Sequence, residues 1–254
     1  MFPILFSFKL FSKTITIYSY GLFLLVAIII GILLFYWLLK QRKIPTRRIF
    51  DNILWTILAG LIGARFFYVL FHLKFYLGNW RETYKFWQGG LDFFGAVIAG
   101  LTVLIVWLYF KKRKELWSYL DCSVIVMMLS AAIGKVGSFL MGSDLGRPAS
   151  FFGAVKFPLD NISRHPVQIY EAIIYLFIFL VLFLLFEKTH HTPGFIFFIS
   201  LILFGMARFF LEFFRAPDII LYKEIWDFTL AHLFSFLVLI VGIIGMRLYG
   251  GKHV

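Results

Sequence analysis

The chain has 254 residues, of which 61% are hydrophobic, 21% aromatic and 15% charged, with a formal net charge of +12. Soluble domains carry roughly 45–50% apolar and about 25% charged residues, and the 34 phenylalanines here exceed what a soluble core of this size can hide. These figures exclude a disordered chain, a secreted disulfide scaffold and a soluble nucleic-acid binder, and leave a polytopic membrane protein.

The basic residues stand in short stretches between long apolar runs, which is how membrane topology is encoded and not how a nucleic-acid surface is built. The single cysteine, Cys122, lies inside an apolar run. It excludes an intrachain disulfide and a cysteine metal cluster and reads as a small packing residue. No cleavable signal peptide is read, because the first apolar stretch is too long for such a segment and lacks a small-residue cleavage site.

In chain order, the first twelve residues, with Phe2, Leu5, Phe6, Phe8, Leu10 and Phe11, read as a segment lying in the membrane interface. A crossing helix needs about 20 apolar residues. That ruler predicts seven spans: Tyr18–Leu39, Ile53–Phe71, Leu91–Phe110, Tyr119–Met141, Val167–Phe186, Gly194–Phe214 and Phe228–Leu248. The predicted fold class is an all-α integral membrane protein with seven transmembrane helices and extracytoplasmic interfacial segments. Residues 1–254 form one polytopic membrane domain in this reading.

Charge orients the set. Lys40, Arg42, Lys43, Arg47 and Arg48 follow the first span, and Lys111, Lys112, Arg113 and Lys114 follow the third. Short basic connections are cytoplasmic. The C-terminus, with Arg247 and Lys252, falls on that side, and the N-terminus with loops 72–90, 142–166 and 215–227 is extracytoplasmic. Trp80, Tyr84, Trp87, Tyr222 and Trp226 suit interfacial segments there. No soluble domain, linker, low-complexity stretch or internal repeat appears, and the missing repeat weighs against a transporter of inverted halves.

Ionisable residues within spans are costly and face a bundle interior or a wet cavity. Here they are Arg65, Asp121, Lys135, Glu171, Arg208 and Glu212, with Asp92 and His165 at span entrances. All except Asp121 fall toward the outer half; Asp121 reads as a solvated or a capping carboxylate. Arg208 and Glu212 are four apart and can pair on one helical face, with Arg215 following on nearly the same side. His165, Gln168 and Glu171 also share a face. Arg65, Lys135, Arg147, Arg208 and Arg215 face few carboxylates, chiefly Glu171, Glu212 and Asp92. An unpartnered buried cation is expensive, so the count predicts an anionic ligand, a phospholipid phosphate in the outer leaflet.

The chain resembles the prolipoprotein diacylglyceryl transferase family from Tyr20 to the last span. The shared residues are Tyr20-Gly21, Asp51, Gly63-Ala64-Arg65, Tyr68-Val69-Leu70-Phe71 and Trp87-Gln88-Gly89-Gly90-Leu91. The most specific stretches are His165-Pro166-Val167-Gln168-Ile169-Tyr170-Glu171 and Arg208-Phe209-Phe210-Leu211-Glu212-Phe213-Phe214-Arg215-Ala216-Pro217-Asp218. The resemblance implies transfer of the diacylglyceryl group of phosphatidylglycerol to the thiol of a lipobox cysteine in a preprolipoprotein, with glycerol 1-phosphate released. That chemistry needs proton removal from the thiol and cations for the departing phosphate.

The sequence departs from the family pattern at several positions. Where the family has Ser-Phe-His-Gly-Gly, this chain has Asp92-Phe93-Phe94-Gly95-Ala96, so Phe94 takes the place of a histidine regarded as important for activity. In the stretch from Gly134 to Gly146, the family's lipid-binding arginine is Lys135, its asparagines are Ser138 and Met141, and its glutamate is Ser143. Phe204 replaces a tyrosine four residues before Arg208. Lys135 keeps the charge but loses the guanidinium fork.

The resemblance thus implies Arg208, Glu212, His165 and Glu171 as catalytic residues, to which Asp92, standing where the family has serine, is added as a candidate for the lost histidine function, and Lys135, Arg65, Arg147, Tyr20 and Ser138 as phospholipid-binding residues. Two of these have a second reading. Asp92 supplies part of the function of the absent histidine or caps the third span, and His165 serves the site or bonds loop carbonyls. His232 reads as a packing or hydrogen-bonding residue. No metal or organic cofactor is implied. The expected partners are phosphatidylglycerol, a preprolipoprotein signal peptide and the lipid bilayer, with no nucleic acid, in a multi-pass protein of the bacterial plasma (inner) membrane. The alternatives are a divergent paralogue acting on another acceptor and a non-catalytic phospholipid-binding membrane protein.

Overall fold

The structure is a computed structural model and describes residues 2–10, 13–44, 46, 49–78, 80–85, 90–112, 115–157, 162–188, 191–216 and 229–250. The side chain of Phe94, together with Trp87-Gln88-Gly89, Pro217-Asp218, Tyr222 and Trp226 from the sequence reading, lies outside the described residues.

The chain opens on an antiparallel hairpin, β1 (Ile4–Leu10) and β2 (Lys13–Tyr18). Its register sets Phe6 opposite Ile17 and Phe8 opposite Ile15, while Ser7 opposes Thr16 and Lys9 opposes Thr14. The stretch expected as one amphipathic segment is therefore largely the first arm of a hairpin. Its base is tied to the helix that follows and to a distant one. The Ser19 amide donates to the Pro3 carbonyl (3.0 Å) and the Phe2 amide to that of Leu140 (3.1 Å).

Among the described residues, each predicted span coincides for most of its length with a helix. These are α1 (Ser19–Gln41), α2 (Ile49–Phe71), α4 (Phe93–Lys112), α5 (Leu116–Met141), α6 (Val167–Lys188), α7 (Phe195–Glu212) and α8 (Leu230–Gly250). A short α3 (Leu73–Gly78) follows α2. Six of them are long and apolar enough to cross a membrane, while the described apolar run in α4, Gly95–Trp107, is shorter. Many apolar side chains on these helices are exposed, among them Leu33, Ile62, Phe177 and Leu248, as a lipid-facing surface requires.

The chain divides into two compact units, residues 38–119 and residues 1–37 with 120–254. In the first, α2 packs on α4 at glycine. A Cβ on Gly95 would lie 2.5 Å from the Gly63 carbonyl oxygen, so the two backbones meet where membrane helices use small residues. In the second, Ser130 of α5 donates to the Ala27 carbonyl of α1 (3.2 Å), and Trp37 of α1 stacks on Phe183 of α6 at 5.8 Å. Asp121, 2% exposed, reaches from α5 to the start of α7. Its carboxylate accepts the Gly194 amide (2.8 Å) and the Phe197 amide (2.7 Å). Gly194 has no side chain to cap its own helix, and Asp121 supplies that cap from a neighbouring helix. The capping reading of Asp121 holds and the solvated one does not.

Between α5 and α6 the chain forms a small ladder. β3 (Val155–Lys156) pairs with β4 (Ser163–Arg164), and isolated bridges join Pro148 to Arg164 and Gly146 to Arg215. The Arg147 amide donates to Phe214 (2.8 Å), Ala216 to Leu145 (3.0 Å) and His165 to Arg147 (3.0 Å). Residues 145–149 are thereby threaded between the entry to α6 and the exit from α7. Gly146 is required here, because a Cβ would run into the His165 carbonyl.

Candidate functional site

The ladder holds a ring of six charged side chains inside the larger unit. Lys135 Nζ of α5 lies 2.7 Å from Glu171 Oε2 of α6 and 2.8 Å from Asp144 Oδ2. Arg208 of α7 reaches Glu171 Oε1 at 3.2 Å with Nη1 and Glu212 Oε2 at 2.8 Å with Nη2. Arg215 closes the circuit, with contacts to Asp144 Oδ1 (3.4 Å), Glu171 Oε1 (3.3 Å) and Glu212 Oε2 (3.8 Å). Cations and carboxylates alternate around the ring, and Glu171 touches all three cations.

The sequence explains each placement. Arg208 and Glu212 are one turn apart on α7, the predicted pair. Glu171 sits on the first turns of α6, and Lys135 lies near the end of α5. Asp144 enters from the loop with a φ of 58°, a left-handed conformation that aspartate adopts more readily than most residues. Burial would raise its carboxyl, but Lys135 and Arg215 outweigh that effect and hold it at about 2. For Arg215 burial acts against the charge, and Asp144, Glu171 and Glu212 together push the guanidinium above its usual range.

This geometry corrects the charge count. Lys135, Arg208 and Arg215 are matched one for one by Glu171, Glu212 and Asp144, a carboxylate the sequence reading did not include. Arg147 donates through Nε to the Arg215 carbonyl (3.2 Å) and pairs with no carboxylate among the described residues. Arg164 stands beside it and donates to the Gly146 carbonyl (3.0 Å).

Other expected residues surround the ring. Tyr20, on the first turn of α1, packs where α5 passes: a Cβ on Gly137 would lie 3.4 Å from its Cα. Ser138 is buried, and its carbonyl receives the Gly142 and Ser143 amides at the end of α5. His165 has Phe151, Phe214 and Tyr170 around its ring, with centroids at 5.0, 5.2 and 6.1 Å. Its Nδ1 is 3.4 Å from the Tyr170 hydroxyl. Phe204, in place of the family tyrosine, lies against Tyr175 at 5.8 Å.

Glu212 also anchors a buried chain of polar groups, of which sequence reasoning missed Thr229. Thr229 Oγ1 donates to Glu212 Oε1 (2.9 Å), and the Thr229 amide donates to His232 Nδ1 (3.0 Å). His232 packs between Phe209 (5.2 Å) and Phe213 (4.6 Å), so it both packs and bonds. Gln168 is fully buried, and its amide donates to the Ser143 carbonyl.

Arg65 and Asp92 belong to the other unit and do local work there. Arg65 donates to the carbonyls of Thr83 (2.7 Å), Glu82 (2.5 Å) and Gly90 (3.0 Å), with its guanidinium 5.8 and 5.4 Å from the rings of Tyr68 and Tyr76. Asp92 Oδ1 accepts the Gly95 amide at 2.7 Å, the N-cap bond that the second reading of this residue describes.

Residues 3–248 match the family model described as prolipoprotein diacylglyceryl transferase. A curated relative from Ehrlichia ruminantium (strain Welgevonden), named phosphatidylglycerol--prolipoprotein diacylglyceryl transferase, is 32% identical over 242 residues, covering 89% of this chain and 92% of the relative. A relative of the same name from Wolbachia pipientis wMel is 32% identical over 254 residues, covering 95% and 92%. Another from Thermosynechococcus vestitus (strain NIES-2133 / IAM M-273 / BP-1) is 29% identical over 216 residues, covering 82% and 80%. With a membrane-helical fold and a match that spans almost its full length, the chain belongs to the prolipoprotein diacylglyceryl transferase family.

Proposed function

We propose that this chain transfers the diacylglyceryl group of phosphatidylglycerol to the cysteine thiol of a preprolipoprotein lipobox, in a bacterial plasma membrane. The observation that carries the reading is the charged ring with Arg147 beside it: cations gathered on α5, α7 and the loop, oriented by carboxylates from α6 and α7. In the reaction the sulfur forms a bond to the glyceryl carbon, and the bond from that carbon to the phosphate oxygen breaks. The phosphodiester, with one negative charge, leaves as a phosphomonoester with a second, and the thiol proton passes to a base. Fixed cations beside the leaving oxygens stabilise that developing charge without reorganising during the reaction.

In this reading Arg208, Lys135 and Arg147 hold the phosphate, with Arg215 joining them. Glu171 and Glu212 orient the cations, and Tyr20, Ser138 and His165 shape the head-group site. Arg65 braces the segment ahead of α4 through three backbone carbonyls. Asp92 is proposed as a contributor to the base function, alongside its capping bond. The seven spans are oriented with the N-terminus and the 142–166 loop extracytoplasmic, supported by the basic connections after the first and third spans. A second reading, a phospholipid-binding relative without transfer chemistry, is favoured by Phe94 at the position of the family histidine.

The test is purified protein in phosphatidylglycerol liposomes with a lipobox peptide. Glycerol phosphate release together with a diacylglyceryl mass increase on the peptide is the expected result. Phospholipid binding without either product, while a standard family member succeeds alongside, would establish the second reading instead.

A further inference from the structure

The three carboxylates of the ring are not equivalent. Glu171 and Glu212 project from helices and are 1% and 6% exposed, whereas Asp144 sits on a loop and is 33% exposed. Asp144 also carries the left-handed backbone, φ 58°, which most L-residues occupy at a cost. Its two oxygens take one cation each, Oδ2 on Lys135 Nζ at 2.8 Å and Oδ1 on Arg215 Nη2 at 3.4 Å. Both cations keep another partner without it, since Glu171 lies 2.7 Å from Lys135 and 3.3 Å from Arg215. Withdrawing Asp144 strands no cation, while withdrawing Glu171 would loosen all three.

We propose that Asp144 is the displaceable member of the ring: an anionic phosphate ester takes its place across Lys135 and Arg215, and its carboxylate turns outward to solvent. The inference rests on the reading that this site binds a phospholipid phosphate. A phosphodiester offers two unesterified oxygens with one shared negative charge, as a carboxylate does, and Lys and Arg donate to either. The exchange is one charge for one, so the buried part of the site stays balanced with the lipid bound. Asp144 therefore competes with the head group for the same two donors. A neutral diacylglycerol has nothing with which to displace it, so the aspartate selects for a charged lipid.

Binding to the full-length protein in detergent is measured by calorimetry, with dioctanoylphosphatidylglycerol, inorganic phosphate and dioctanoylglycerol as probes. Asp144→Asn removes the charge, and Asp144→Gly removes the side chain while suiting the positive φ. Both variants are expected to bind dioctanoylphosphatidylglycerol about threefold to tenfold more tightly than the unsubstituted chain, with dioctanoylglycerol unaffected. The same gain for inorganic phosphate would show that the phosphate group suffices, and a gain for the lipid alone would assign the exchange to the intact head group. Equal or weaker lipid binding in both variants would overturn the proposal, as would failure of both to fold, because displacement needs a ring that survives without Asp144. No lipid binding by the unsubstituted chain would overturn the phosphate reading itself, and the displacement with it.

Discussion

Lys135 Nζ lies 2.7 Å from Glu171 Oε2, joining α5 to α6 through a carboxylate that is 1% exposed. A buried carboxylate is tolerable when several cations neutralise it, and Glu171 has three. Removing one partner of such a network while leaving the others buried costs about 3–5 kcal/mol. Glu171→Gln is therefore expected to lower the unfolding temperature in detergent by far more than a surface Glu→Gln exchange, read by tryptophan fluorescence during heating. An unchanged unfolding temperature would mean that the ring does not hold these helices together.

Asp144 provides the pH dependence. Its carboxyl is held at about 2 in the folded chain against an ordinary 3.8. A carboxyl depressed by folding adds stability above its unfolded value, and that contribution is lost as pH falls through the folded value. The stability difference between the unsubstituted chain and Asp144→Asn should thus be constant above about pH 4 and shrink toward pH 2. Unfolding temperatures of both proteins across pH 6 to 2 check this, and parallel curves over that range would contradict it.

Asp121 holds the start of α7. Its carboxylate caps a helix whose own N-cap residue is glycine. Asp121→Ala removes two charge-assisted bonds at a buried position, for an expected loss of about 1–3 kcal/mol. Asp121→Asn should recover part of it, since one amide oxygen can still accept. Thermal unfolding of the two variants, with hydrogen exchange at Gly194 and Phe197, distinguishes a lost cap from a general loosening.

The helical part of the fold was legible because hydropathy decides it. A run of about 20 apolar residues has few other uses, and the predicted span Ile53–Phe71 ends where α2 ends. The hairpin was not read, although its signal was present. Phe6, Phe8 and Leu10 alternate with Ser7 and Lys9, and Ile15 and Ile17 with Thr14 and Thr16, a period of two that belongs to a strand. Within the ring, the Arg208–Glu212 pair was legible from helical spacing alone. Asp144 was not, because its position depends on a loop that returns to α7 through the Gly146–Arg215 bridge, and no local pattern encodes that return. Part of the apparent excess of cations came from this omission, since Asp144 serves both Lys135 and Arg215. Arg65 was assigned to phosphate from its charge and the family resemblance, and its three backbone carbonyl partners within 3.0 Å were invisible in the sequence.

In the proposed reaction the ring's cations stabilise a phosphate leaving group, and Arg208 joins Glu171 to Glu212 within that ring. The most direct measurement is diacylglyceryl transfer to a lipobox peptide in phosphatidylglycerol liposomes, comparing the unsubstituted chain with Arg208→Lys and Arg208→Ala. The expected pattern is measurable transfer by the unsubstituted chain, a loss of about a hundredfold or more for Arg208→Ala, and a smaller loss for Arg208→Lys, which keeps the charge without the fork. Transfer at an undiminished rate by folded Arg208→Ala would contradict it.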